Sequence, residues 1–138
     1  MAMREQQIRI ALEQHASASA AGDLDAERDV YQENAVCEYP QSGERIHGRE
    51  NLKSLRGHHP GRPAGFTVRG ISGAGNLWVT EYLINYEGKP VHTVSIMEFE
   101  KGKCRHEIQY FCDPFDAPSW RARWVEQVGH PQATPLGH

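Results

Sequence analysis

"NLWVTEYLINYEGKPVHTVSIMEFEKGKCRHEIQYFCD", residues 76–113, is the stretch on which the fold turns. Three runs rich in β-branched and aromatic residues follow one another here. Only "EGKP" and "EKGK" separate them, and links this short join antiparallel strands. Upstream, "FTVRGIS" (66–72) adds a fourth run, set off by "SGAGN". A parallel sheet would need a helical crossover between successive strands, and none intervenes. The second half therefore reads as a meander of four antiparallel strands.

The first half has the other periodicity. Between residue 4 and about residue 21, Ile8, Leu12, His15 and Ser19 recur at helical spacing, with Ala11 and Ala18 filling the stripe. Gly22 suits a helix stop and Asp23 an N-cap. The second helix is expected to carry Leu24, Val30 and Tyr31 and to end near Asn34. "AVCEYP" (35–40) then reads as a short strand and "QSGE" (41–44) as a turn. Arg49 to about Arg56 reads as a third helix with Leu52 and Leu55 inward. Pro118 is expected to open a last helix, with Trp120, Trp124 and Val128 on one face. Helices first and strands second define an α+β domain, N-terminal helices packed on a curved, mostly antiparallel sheet. Residues 1–128 make one domain on this reading, and "GHPQATPLGH" (129–138) a flexible C-terminal tail.

Bulk properties narrow the function classes. A chain of 138 residues buries about 70% of its unfolded surface, enough for one core. The net charge of −3 is spread without a basic stripe, so nucleic acid is not an expected partner. No apolar run reaches the ~18 residues of a membrane span. The opening "MAMREQQIRIALEQ" lacks the pattern of a secretory signal, which points to the cytoplasm. Cys37, Cys104 and Cys112 are an odd set and read as reduced thiols. His58 and His59, in "GHHPGRP", are adjacent and lack a carboxylate at ligand spacing, so no metal is expected and the segment reads as a loop at a pocket mouth. There is no glycine-rich phosphate loop and no serine elbow.

Several short motifs carry a resemblance. A helix ending in "AGDLDA", a strand with "Y…ENAV", then "IHGRE" and a late "MEF…GK…YF" resemble the nuclear transport factor 2-like superfamily. Its members include the SnoaL-like polyketide cyclases, ketosteroid isomerases, scytalone dehydratase and limonene epoxide hydrolase. The stretch "QYFCDPFDAPSWRARWVE" resembles a SnoaL-like subgroup, and the likeness covers residues 5 to about 127. It implies a cystatin-like conical half-barrel with a blind pocket, often paired as a homodimer through the outer sheet face.

Pairing the hairpins suggests which side chains line that pocket. With "EGKP" as the link, Ile84 faces Thr93, Tyr82 faces Ser95 and Trp78 faces Phe99. With Lys101 and Gly102 as a two-residue turn, Phe99 meets Cys104, Met97 meets His106 and Thr93 meets Tyr110. The candidate lining is then Trp78, Tyr82, Ser95, Met97, His106 and Tyr110, an apolar and aromatic face with polar tips. One bulge would exchange the faces beyond it, so Glu81, Glu107 and Asp113 stay in reserve.

The resemblance also places the chemistry. In ketosteroid isomerases the strand before "IHGRE" ends in an aspartate base followed by proline, and the matching residue is Tyr39. The isomerase tyrosine of the first helix matches His15 in spacing, and the second oxyanion donor falls on Ser95 or Met97. A tyrosine with pKa ~10 is ionised about one part in a thousand at neutral pH, so Tyr39 suits a donor and not a base. His15, with a reference value of ~6.5, is the expected base, and Tyr39 and Tyr82 the expected donors to an oxyanion. A plain structural histidine, bonded to a tyrosine or a backbone carbonyl, is the competing reading of His15. Asp113 lies one residue beyond the aspartate of a "YFD" pattern found in cyclases and epoxide hydrolases. The epoxide hydrolase Asp-Arg-Asp set is incomplete on this strand, because Val79 stands two residues before Glu81. The expected function is a cofactor-free isomerase, cyclase or dehydratase acting on a small apolar carbonyl or hydroxyl compound. The alternative is a ligand-binding or dimeric interaction module of the same fold without turnover.

Overall fold

The structure is a computed structural model and describes residues 2–61 and 63–136. Helix α1 (Ala2–Ala21) is followed by α2 (Leu24–Arg28), strands β1 (Tyr31–Tyr39) and β2 (Glu44–His47), helix α3 (Arg49–Gly57) and the strands β3 (Gly65–Ala74), β4 (Leu77–Tyr86), β5 (Lys89–Glu100) and β6 (Lys103–Cys112). The sheet runs β2-β1-β6-β5-β4-β3. Among the described residues, only β1 and β6 pair in parallel. Helices cover one face of this sheet, which makes the conical half-barrel expected from the sequence. Among the described residues, no helix is long and apolar enough to cross a membrane.

The core lies between α1 and the sheet. Ile8 and Leu12 of α1 pack with Tyr31, Ala35 and Cys37 of β1, Trp78 of β4 and Met97 and Phe99 of β5. Such side chains contribute about 1.5–3 kcal/mol each when fully buried. Trp78 sits over Gly73, where an added Cβ would come within 2.5 Å of the indole ring and of the Leu77 carbonyl. Its indole N–H donates to the Gly75 carbonyl at 2.9 Å. This sequence candidate for the pocket therefore belongs to the core.

Gly22 (φ +71°) stops α1 and Asp23 caps α2 through Ala26 N–H, as the sequence implies. The second helix is shorter than expected, however, ending at Arg28, and Tyr31 opens β1. The β-branched and aromatic pair Val30–Tyr31 is drawn into strand pairing, with Cys104 N–H donating to the Val30 carbonyl at 2.8 Å. The expected last helix is a 3-10 segment, Ser119–Trp124, with Trp120 73% and Trp124 69% exposed. Two tryptophans with no apolar neighbour face cannot hold an amphipathic helix in place. The tail does not hang free over its described part. Phe66 N–H donates to Thr134, Leu136 N–H donates to Ala64, and Ala133 is buried against the edge of β3.

Two departures in register matter for function. The β4–β5 link is a two-residue turn, Glu87–Gly88, rather than four residues, so Tyr82 pairs with Thr93 and Trp78 with Met97. A shift of two preserves the faces. The β5–β6 link is the expected Lys101–Gly102, and Phe99 does meet Cys104. One residue later Glu98 pairs with His106, leaving Arg105 as a bulge. From there to its end β6 presents Glu107, Gln109 and Phe111 to the interior, while His106, Ile108 and Tyr110 face outward.

Both tight turns put a non-glycine residue in the left-handed region, Glu87 at φ 53° and Lys101 at φ 55°. That conformation costs an ordinary side chain about 1–2 kcal/mol and asparagine less. Glu87→Asn should therefore raise stability by roughly 0.5–1 kcal/mol, read from urea midpoints. A lower midpoint would show that the Glu87 side chain makes a compensating contact.

Candidate functional site

A cavity of about 560 Å³ opens between α1, α2, α3 and the ends of β4, β5 and β6. Its walls are aromatic and aliphatic: Phe66, Tyr82, Ile84, Tyr86, Val91 and Phe111, with Leu24 and Leu55 opposite. The polar groups converging on it are His15, Glu27, Tyr39, Arg56 and Gln109. Volume and lining match those of small-molecule sites.

The polar wall is organised by Arg56, the last inward residue of α3. Arg56 lies four residues after the buried Leu52, so both side chains share a helix face. Its Nη1 donates to Glu27 Oε1 at 2.8 Å. Its Nη2 reaches Tyr31 Oη at 3.1 Å, Gln109 Oε1 at 3.2 Å and Glu107 Oε1 at 3.4 Å. Glu107 is fully buried. It also accepts from Tyr31 Oη at 2.5 Å, from Cys37 Sγ at 3.5 Å and from Ser95 Oγ. The set Glu27–Arg56–Glu107 is thus a carboxylate–guanidinium–carboxylate row built from two helices and a strand. Burial pushes the Tyr31 hydroxyl well up and the Cys37 thiol far above its ordinary range, so both keep their protons.

Gln109 carries this order outward. Because Arg56 donates to its Oε1, its amide nitrogen points away and donates to Tyr82 Oη at 2.9 Å. With that lone pair used, Tyr82 retains its own O–H for a neighbour. Burial raises its pKa, so the proton stays.

His15 faces the same cavity from α1. Its Nδ1 lies 2.9 Å from the Glu27 carbonyl, an acceptor only, so Nδ1 carries the proton and Nε2 the lone pair. The ring packs edge-on against Tyr31 at 5.7 Å. Burial, and then the Arg56 charge, lower its pKa, whereas Glu27 and Glu107 oppose the shift. His15 is therefore neutral at pH 7, with one basic nitrogen. Tyr39, at the end of β1, packs edge-on against Phe111 at 5.4 Å. Burial pushes it up to about 12, with Arg56 working against the rise. It is a hydrogen-bond donor at neutral pH.

The other sequence candidates are dispersed. Ser95 and Met97 do not line the main cavity but a smaller recess beneath it, with Tyr82 bordering both. His106 and Tyr110 lie on the outer face because of the bulge, and His106 Nε2 is 2.7 Å from Glu38 Oε2. That contact, together with Arg45, holds Glu38 below the usual carboxylate range. Glu81 is exposed on the outer face beside Arg69 at 3.9 Å. Asp113 reaches the cavity rim, 3.4 Å from Lys89. His59, from the loop expected at a pocket mouth, lines the cavity and stacks on Tyr86 at 4.9 Å. Arg56, Glu27 and Gln109 were not singled out from the sequence. The i, i+4 relation of Leu52 to Arg56 was the available signal for the first.

The comparisons agree with this architecture. The model of the SnoaL-like domain family matches residues 12–107. The chain belongs to the SnoaL-like family. None of the curated proteins matches it significantly in sequence. Among solved structures, an NTF-2 like protein of unknown function from Burkholderia xenovorans LB400 is 65% identical, with a TM-score of 0.85 over 92% of this chain and 99% of that one. A proposed ketosteroid isomerase from Kribbella flavida DSM 17836 shares 19% identity, with a TM-score of 0.82 over 96% of each chain. An LEH-like epoxide hydrolase from M. tuberculosis shares 20%, with a TM-score of 0.62 over 77% of this chain and 83% of that one. The last two likenesses establish the fold alone.

Removing one member of the buried row should expose its energetics. Arg56→Met leaves Glu27 and Glu107 facing each other without a counter-charge, and should cost about 3–5 kcal/mol in denaturant unfolding. Glu107→Gln keeps a similar shape and most hydrogen bonds and should cost roughly 1–3 kcal/mol. Equal losses in the two variants would show that the charge of the row is not what it contributes.

Proposed function

We propose that this chain is an acid/base catalyst of small apolar carbonyl or hydroxyl compounds, acting as an isomerase, cyclase or dehydratase through its own side chains. The supporting observation is His15. A neutral imidazole, its tautomer set by the Glu27 carbonyl, is presented to a 560 Å³ cavity with largely apolar walls. A base needs its free nitrogen available at working pH, and the lowered pKa keeps it so. A substrate carbonyl lying against Tyr39 and Tyr82 would meet two protonated hydroxyls. His15 removes the proton alpha to that carbonyl, the charge that develops on oxygen is held by the tyrosines, and the imidazolium returns the proton elsewhere.

The probe reaction is deuterium exchange alpha to the carbonyl of 2-tetralone in D2O. The native protein should accelerate it, and His15→Gln should lose about 10²–10⁴-fold while remaining folded. Activity needs the neutral ring, whose pKa is depressed below 6.5, so the rate should hold as pH falls past 6.5 and drop only at more acid pH. Exchange unaffected by His15→Gln would remove His15 from the role.

The outer sheet face supports a second, compatible reading, pairing with another copy of the chain. Val79, Val94, Ile96, Ile108 and Tyr110 form a half-buried apolar patch there. The native protein should then run as a dimer in analytical ultracentrifugation and Ile96→Glu as a monomer. A native monomer at micromolar concentration would exclude the pairing.

A further inference from the structure

Nearly every residue between 114 and 131 is exposed, although both ends of this segment are fixed. At its start the Gln41 side chain brackets Phe111, donating to the carbonyl at 2.8 Å and accepting from the N–H at 2.6 Å. At its end the Asn85 side chain holds Gln132 at 3.1 Å and the Ala133 N–H at 3.2 Å. Between these anchors Phe115, Trp120, Trp124, Val125 and Val128 are exposed by 44–86%. They are five of the nine large apolar side chains exposed among the described residues, so the concentration belongs to this segment and not to the surface at large. The segment cannot organise itself, because its one ordered turn, Ser119–Trp124, has six residues in the weaker 3-10 geometry. The Arg121 and Arg123 guanidinium groups lie 5.8 and 4.8 Å from the Trp120 and Trp124 ring centres. Tryptophan and arginine are the side chains that most often dominate binding at protein interfaces. Asp113, Asp116 and Glu126 outnumber the two arginines, a balance that disfavours an anionic lipid surface.

We propose that residues 114–131 form an arm that closes over a second copy of this chain. The inference rests on the pairing of outer sheet faces argued above, and adds that the sheet contact is too small to hold a dimer without the arm. Area decides the occupant. With about 150–250 Å² per aromatic side chain, the five exposed residues present roughly 600 Å² of apolar surface. The sheet patch of Val79, Val94, Ile96, Ile108 and Tyr110 is already half-buried, and by itself falls well short of the ~800 Å² per partner that a stable pair covers. The two surfaces together approach that value. They are also continuous along the chain. Strand β6 carries Ile108 and Tyr110 of the patch and ends at Cys112, so the arm leaves the sheet from a strand of the paired face. In a two-fold pair each chain offers the same patch and the same arm to the other, and association closes at two.

The test compares the native protein with the double variant Trp120→Ser/Trp124→Ser and with Ile96→Glu. Both tryptophans lie outside the core, so the double variant should keep the fold, which far-UV circular dichroism checks. In analytical ultracentrifugation the native protein should run as a dimer, and the dissociation constant of the double variant should be at least about a hundredfold higher. Acrylamide should quench the tryptophan fluorescence of the native dimer weakly and that of the Ile96→Glu monomer strongly. Pairing covers Trp120 and Trp124, whereas Trp78 is buried within each chain. A dimer equally tight without the two tryptophans, or equal quenching in the native dimer and the Ile96→Glu monomer, would overturn the arm and leave the sheet pairing standing. A native monomer would overturn both. Were that monomer to sediment with vesicles of phosphatidylcholine and phosphatidylserine, and the double variant not, the segment would be a lipid anchor instead.

Discussion

The structure depends on one carboxyl group held away from water. Glu107 has no exposed surface. An ion taken out of solvent costs several kcal/mol unless its lone pairs are filled and its charge is matched. Three elements supply what it needs: Arg56 from α3, Tyr31 and Cys37 from β1, and Ser95 from β5. Glu27 of α2 then shares the guanidinium. The helices cannot swing away from the sheet without stranding that charge. Hydrophobic contact alone would favour closing the hollow between them. The polar row fixes their separation and so gives the cavity a defined width.

The same row gives the cavity a direction. Hydrogen bonds run from Arg56 through Gln109 to Tyr82, each donor forcing the orientation of the next group. On the opposite wall, the Glu27 backbone holds the imidazole of His15 while the Glu27 side chain holds Arg56. A single short helix thus orients both the imidazole and the cation that depresses its basicity. The site has donors on the sheet and an acceptor on the helix, with apolar rings between. Proteins of this fold use different residues for different reactions, and the frame by itself names none of them.

Much of this was legible in the sequence because it rests on local rules. The alternation of strand residues, the Gly22–Asp23 helix boundary, and the inward face of α1 that carries His15 all follow from periodicity and capping. Tyr82 was placed by hairpin pairing, and Tyr39 by the resemblance to ketosteroid isomerases. What escaped was non-local. Whether Val30 and Tyr31 end a helix or begin a strand is decided by pairing with Cys104, some seventy residues on. The role of Arg56 depends on two acids remote in the chain. The tryptophans of the C-terminal segment have the spacing of a core stripe, but no surface among the described residues receives them.

The bulge at Arg105 has an implication for how such pockets diversify. Side chains on a strand have only two settings, and one surplus residue toggles all that follow it. Pairing Arg105 regularly with Glu98, with no residue left over, would carry an imidazole and a phenol into the hollow and turn the acid and the amide out to solvent, with no change in any letter. In this half-barrel the presence or absence of a bulge in the last hairpin can therefore rewrite the chemistry of the interior more completely than any point substitution.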